Sequence, residues 1–247
     1  MHSRNIPRRT LPRNVGLLEL IRAKREWHWK PSSNELKKGF LGWHQRGYLP
    51  HFDAPGVTQF VTFQLYDSFP VTRDPEFELI LKEEETSAKR RKLEAWLDRG
   101  YGACWLGRRE VAEIVERTVL EGDGHDYRMQ AWVIMPNHVH LLVDIWDVPL
   151  RKLIEGWKGR SAREANKFLG RVGHFWAKDY FDTLIRNEAH LKRVIRYIEQ
   201  NPVKSFLVPT AGEWRAGSAR HRDEYGRLPW QRSETTPPLF PGSDRDL

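Results

Sequence analysis

Two apolar-rich runs, Arg128–Ile134 and His138–Ile145, are separated by nothing more than Met135-Pro136-Asn137. Runs of this composition with so short a connection read as the two strands of a β-hairpin. The elements around it follow from that pair. Val57–Leu65 alternates and is rich in β-branched and aromatic residues, so it reads as a strand ended by Asp67–Pro70. Glu76–Trp96 is charged and helix-prone, and Arg109–Glu121 sets Val111, Ile114, Val115 and Val119 on a 3.6-residue period before Gly122-Asp123-Gly124 stops it. Beyond the hairpin, Leu150, Leu153, Ile154, Trp157, Ala165, Phe168 and Leu169 recur at helical spacing, and Phe175–Ile185 supplies a further extended segment. Leu191, Val194, Ile195 and Ile198 then line one face of a helix over Asn187–Gln200, with Pro202 expected to end it. Strand, helix, strand, strand, helix, strand, helix is the order of an α+β, ferredoxin-like (RRM-like) antiparallel sheet with helices on one face, plus an added C-terminal helix.

Flanking regions differ from this body. Residues 1–30 hold eight Lys or Arg against Glu19 and Glu26, and Pro7, Pro12 and Pro31 oppose an independent fold. The expected division is therefore a basic N-terminal extension over 1–42, a folded domain over 43–208 and an irregular, Pro-containing tail over 209–247. The formal net charge of +8 favours polyanionic partners. A single cysteine, Cys104, excludes an internal disulfide and a multi-cysteine zinc module. No apolar run approaches the length of a membrane span, so the chain reads as a cytoplasmic, bacterial protein without a membrane partner.

Chemistry concentrates in two places. His138 and His140 flank Val139 in the second hairpin strand, and because side chains alternate, both imidazoles share one face. Such a pair can converge on one metal ion, although an isolated H-x-H is more often two hydrogen-bonded histidines. On the last helix Tyr197 flanks the apolar stripe, and Asn201 lies four residues on, on the same side.

These residues carry a family resemblance. Trp132-Val133-Ile134-Met135-Pro136-Asn137-His138-Val139-His140-Leu141-Leu142, followed by Arg196-Tyr197-Ile198-Glu199-Gln200-Asn201-Pro202-Val203-Lys204, resembles the paired signature of the IS200-like single-tyrosine transposases. It most resembles the REP-associated tyrosine transposases. Gly42–Phe52, before the first strand, and Phe175–Asp182, before the last helix, match as well, and 57 positions separate His140 from Tyr197. The resemblance implies a HUH endonuclease in which His138 and His140 bind a divalent metal ion, Mg2+ or Mn2+, with Asn201 as third ligand and Tyr197 as nucleophile. It implies metal-dependent cleavage and rejoining of single-stranded, hairpin-flanked DNA through a 5′-phosphotyrosine, with monomer and homodimer both open. No general base for Tyr197 stands out in the sequence.

Several basic residues suit a DNA backbone. They are Arg151, Lys152, Lys158, Arg160, Arg163, Lys167 and Arg171 on the helix after the hairpin, and Arg8, Arg9 and Arg13 in the N-terminal arm. The main alternative is a non-catalytic nucleic-acid-binding protein with the same sheet. A small-substrate metallohydrolase would leave Tyr197 and the basic arm without roles.

Overall fold

The computed structural model describes residues 30–46, 49–69 and 87–229 of the chain. Arg8, Arg9, Arg13 and the first part of the helix-prone stretch from Glu76 lie outside them. A short helix α1 (Ser33–Lys38) leads to a two-stranded hairpin of β1 (Gly42–Arg46) and β2 (Leu49–Asp53). The body follows as β3 (Thr58–Gln64), α2 (Ser87–Asp98), α3 (Arg109–Leu120), β4 (Tyr127–Ile134), β5 (His138–Ile145), α4 (Leu150–Leu169), β6 (Phe181–Leu184) and α5 (Glu188–Lys204).

All four strands of the main sheet pair antiparallel in the order β4-β5-β3-β6, the ferredoxin-like order that the element sequence predicts. β5 is central and apolar on alternate positions. Val139, Leu141 and Val143 point into the larger core with Val61, Phe63 and Leu65, where α3 brings Val111, Val115 and Val119 and α4 brings Leu153, Ile154 and Trp157. These two crossover helices cover one face.

The other face is covered differently. α5 packs Val194, Ile195 and Ile198 on Phe60, Ala131, Val133 and Leu142, while Leu93 and Trp96 of α2 pack with Phe69 and Phe181. A β-bulge between Met129 and Ala131 helps to fit β4 to both layers. The extra residue shifts the alternation by one, so Met129 serves the first core and Ala131 the second.

Two local expectations change. Pro202 does not end the last helix, which runs on to Lys204 with Pro202 buried inside it. A proline in the last turn removes a single helical hydrogen bond, and its φ is compatible with the helix. Residues 211–228, with short 3-10 turns at Ala211–Glu213 and Ser218–His221, pack on the domain. Ile134 N–H donates to the Ala216 carbonyl (2.8 Å), Trp214 Nε1 donates to the Ile134 carbonyl (3.1 Å), and Leu228 is fully buried in the main core. At the other boundary Phe40, placed by sequence in the extension, is also fully buried in that core. No described helix is long and apolar enough to cross a membrane.

Candidate active site

His138 and His140 sit on the α2/α5 face of β5, 1% and 0% exposed, with their Nε2 atoms 3.1 Å apart. The strand register explains the convergence. His138 lies opposite Gln64 and His140 opposite Thr62, so β3 supplies polar neighbours on the same face. Asn137 Nδ2 donates to the carbonyls of Leu97 (3.0 Å) and Tyr101 (3.2 Å), which turns its Oδ1 towards His138 Nδ1 (2.8 Å). That network assigns the His138 proton to Nδ1 and leaves Nε2 as a lone pair. His140 then donates from Nε2 to His138, and its Nδ1 accepts from the Thr62 hydroxyl (2.8 Å). Rotation of the Thr62 hydroxyl and a tautomer change in His140 would free both Nε2 lone pairs at once. Burial holds both imidazoles neutral: it pushes His138 down to about 3 and His140 well below the ordinary range, with the His138 charge opposing His140 further.

Tyr197 stands against this pair. Its ring centroid is 5.4 Å from that of His140 and 5.8 Å from that of Phe60. The Asn187 side chain caps α5 by accepting from His190 N–H (2.8 Å), and the helix is anchored at its other end by Glu199, which accepts from Ser218 Oγ (2.5 Å) and Arg222 Nε (2.6 Å). Because the helix continues through Pro202, Asn201 remains one turn beyond Tyr197, with its side-chain amide facing the phenol. The Glu94 carboxylate of α2 faces the phenol. Burial raises the Tyr197 pKa above its ordinary value, and the charges of Glu94 and Asp98 raise it further. Asp98 Oδ1 lies 3.9 Å from His138 Nε2, and Lys204 Nζ lies 5.2 Å from the centre of the Tyr197 ring.

Among the described residues no group of three or more His, Cys, Asp or Glu side chains is arranged to hold a metal ion. Amide oxygens are available beside the histidine pair as further donors for a metal ion. Two are suitably unoccupied: Asn201 Oδ1 and Gln64 Oε1 are buried without a hydrogen-bond partner. Two neutral imidazole nitrogens with amide oxygens form a reasonable donor set for Mn2+ or Mg2+. Gln64, Thr62, Glu94 and Asp98 were not singled out from the sequence. The register of β3 against β5 could have pointed to the first two, whereas only the docking of α2 reveals the carboxylates.

The basic residues of α4 are not part of this cluster, because α4 covers the opposite face of the sheet. Several already serve the fold. Lys158 Nζ donates to the carbonyls of Ala177, Lys178 and Asp179, and Lys152 Nζ donates to that of Lys38 (2.8 Å). Arg151 pairs with Glu155 (3.2 Å), Arg160 with Glu121 (3.6 Å), and Arg171 bonds Asn166 Oδ1 (2.9 Å). Arg163 and Lys167 are exposed. Tyr180, the other tyrosine near the last helix, is buried on the α4 side against His51, whose Nδ1 bonds Asp182.

Residues 107–201 match the family described as "Transposase IS200 like", a segment containing His138, His140, Tyr197 and Asn201. One similar solved structure is a REP-associated tyrosine transposase bound to a REP hairpin. It is 16% identical, covers 72% of this chain and 82% of that one, and has a TM-score of 0.42. Another, from Deinococcus radiodurans R1 and described as a "putative transposase", is 15% identical, covers 64% of this chain and 96% of that one, and has a TM-score of 0.28. A comparison with curated proteins found no match.

Proposed function

We propose that this chain, whose residues 107–201 match the IS200-like transposase family, is a metal-dependent HUH endonuclease and strand transferase for single-stranded, hairpin-flanked DNA. The observation that carries the reading is the Tyr197 ring set against His140, itself 3.1 Å from His138 between Nε2 atoms. A phenol has no structural need of two buried, uncharged imidazoles, whereas a phosphodiester attacked by that phenol requires charge stabilisation within reach.

His138, His140 and Asn201 would hold a divalent ion such as Mg2+ or Mn2+, which supplies Lewis-acid polarisation of the scissile phosphate. Tyr197 attacks phosphorus in line, forming a 5′-phosphotyrosine and releasing a 3′-hydroxyl. The phosphotyrosyl bond retains the energy needed to join the 5′ end to a new strand. Anchoring of α5 through Glu199 keeps the phenol beside the histidines instead of in solvent, so less ordering remains to be done at the moment of attack. REP hairpins are the natural first substrates to test, and the compartment would be the bacterial cytoplasm.

Incubating the full chain with hairpin-flanked single strands and Mn2+, followed by denaturing electrophoresis, should reveal DNA attached to protein through its 5′ end. Tyr197→Phe should abolish that adduct while hairpin binding stays nearly unchanged, since one hydroxyl is removed and the ring packing persists. Adducts at wild-type yield in Tyr197→Phe would overturn the assignment.

A further inference from the structure

Two loops meet at the end of the sheet where the turn between β4 and β5 carries Asn137, and both are tied to that residue. After β3, Leu65 N–H and Ser68 Oγ donate to the Asn137 carbonyl (2.8 and 2.7 Å), while after α2 the Tyr101 carbonyl accepts from Asn137 Nδ2 (3.2 Å). The loops also touch each other. Ala103 N–H donates to Asp67 Oδ2 (2.8 Å), and Gly102, at φ +89°, approaches the Asp67 carbonyl so closely that a Cβ would lie 2.6 Å from its oxygen. Asn137 Oδ1 in turn lies 2.8 Å from His138 Nδ1, so the two loops border the histidine pair.

Each loop presents one tyrosine outward. Tyr66 is 60% exposed and stacks on His174, with ring centroids 5.2 Å apart and planes at 26°. Tyr101 is 39% exposed and stacks on the buried Trp96 (5.2 Å, 23°), over whose ring the Arg99 guanidinium sits at 4.1 Å. A ring backed on one side and exposed to this extent turns its other face to solvent. The backing also restricts side-chain rotation, so little freedom remains to be lost when a flat group lies on it.

We infer that Tyr66 and Tyr101 form a stacking platform for unpaired bases of the strand that enters the reactive site, an inference that rests on the DNA-processing role given above. Bases inside a hairpin stem are covered on both faces by their neighbours, whereas an unpaired base offers a π-face that any aromatic ring can meet, whatever the sequence. Arg99 beside Trp96 and the net charge of +8 suit the phosphates that accompany such bases. Two ring faces beside an arginine fall short of the contiguous apolar patch by which protein partners dock.

The probe is a hairpin with a short single-stranded flank carrying 2-aminopurine, whose fluorescence falls on stacking, compared with the same stem without a flank. Both are titrated with the full chain in the absence of divalent ions. Binding should quench the flank, and Tyr66→Ala and Tyr101→Ala should each weaken flanked-hairpin affinity by about tenfold and relieve the quenching at one flank position. Tyr66→Phe and Tyr101→Phe should keep both, since the ring and not the hydroxyl is used. Affinity for the unflanked stem should stay at the wild-type value. Tyr66→Ala carries the test even where Tyr101→Ala lowers the thermal midpoint through Trp96, because His174 belongs to the loop after α4. Wild-type affinity and quenching in Tyr66→Ala overturn the inference, as does an equal loss for the unflanked stem. A self-associating wild type that becomes monomeric in the double alanine variant, with flanked-hairpin affinity unchanged, overturns it in favour of a second copy of the chain. Tyr197→Phe separates the two readings. Adducts that survive there, with stacking lost in Tyr66→Ala, overturn the nucleophile and leave the platform standing. Adducts that vanish there, with stacking intact in both alanine variants, overturn the platform alone.

Discussion

The two faces of strand β5 solve opposite problems with one backbone. Val139, Leu141 and Val143 enter a continuous apolar core under α3 and α4, where burial alone supplies the stability. One residue away, His138 and His140 are equally buried, but on a face where polar groups are joined in a chain from Thr62 through both imidazoles to Asn137. That chain leaves Gln64 Oε1 and Asn201 Oδ1 without partners. Unmet polar groups lower stability, so the second face is less stable than an apolar one of the same shape. The contrast teaches that the fold rests on the α3/α4 face, whereas the α2/α5 face carries the buried polar groups proposed as the reactive site.

The sharpest way to break this comparison is to truncate neighbours on β5 that point in opposite directions. His140→Ala should abolish adduct formation, by about a thousandfold or more given the usual weight of electrostatic transition-state stabilisation, with a small shift in thermal midpoint and hairpin binding retained. Leu141→Ala should cost about 2–5 kcal/mol of stability and, below its lowered midpoint, still form adducts. Equal destabilisation by the two, measured by chemical denaturation, would erase the distinction. Chelation of divalent ions should reproduce the His140→Ala phenotype in the wild type, and full activity in chelator would remove the metal role.

A smaller effect should come from a carboxylate on the structural side. Asp53 is 2% exposed, its Oδ1 accepts from Leu150 N–H at the start of α4 (3.2 Å), and its Oδ2 has no partner. Burial pushes its pKa up from 3.8 to about 6. Between those values the folded state binds more protons than the unfolded one, so this group's contribution falls as pH rises from about 4 to 6 and stays low above. Asp53→Asn, which can still accept from Leu150, should therefore raise stability at pH 7 by on the order of 1–2 kcal/mol and flatten that decline. Urea denaturation at several pH values checks it. An unchanged slope would show that Asp53 is not the titrating group.

The mildest test concerns charge on α4. Arg163 and Lys167 lie on the face away from Tyr197, so Arg163→Ala with Lys167→Ala should leave the adduct rate at saturating DNA unchanged. If a hairpin stem reaches round the sheet onto α4, affinity should weaken and the dependence of log affinity on log salt should become shallower by about one to two. Loss of cleavage at saturation would mean that α4 shapes the reactive site and that the separation of faces is wrong.

Local pattern determined much of this molecule. The alternation in β5 put His138 and His140 on one side, the element order gave the ferredoxin-like sheet, and the apolar period of α5 left Tyr197 on its flank. Each depends only on periodicity, a property of neighbouring residues. Tertiary structure decided what periodicity does not encode. Docking of α2 brought Glu94 to the Tyr197 phenol across a sequence separation of about a hundred residues. Coverage of both sheet faces separated the basic α4 helix from the histidines, though the two are adjacent in sequence, because a strand and the helix that follows it can serve opposite sides of the layer on which the reactive groups lie. Residues 211–228 joined the domain through backbone hydrogen bonds to β4, which composition does not register, since an irregular segment stays ordered only when its polar groups and its few apolar ones, such as Leu228, find partners on a fold already built.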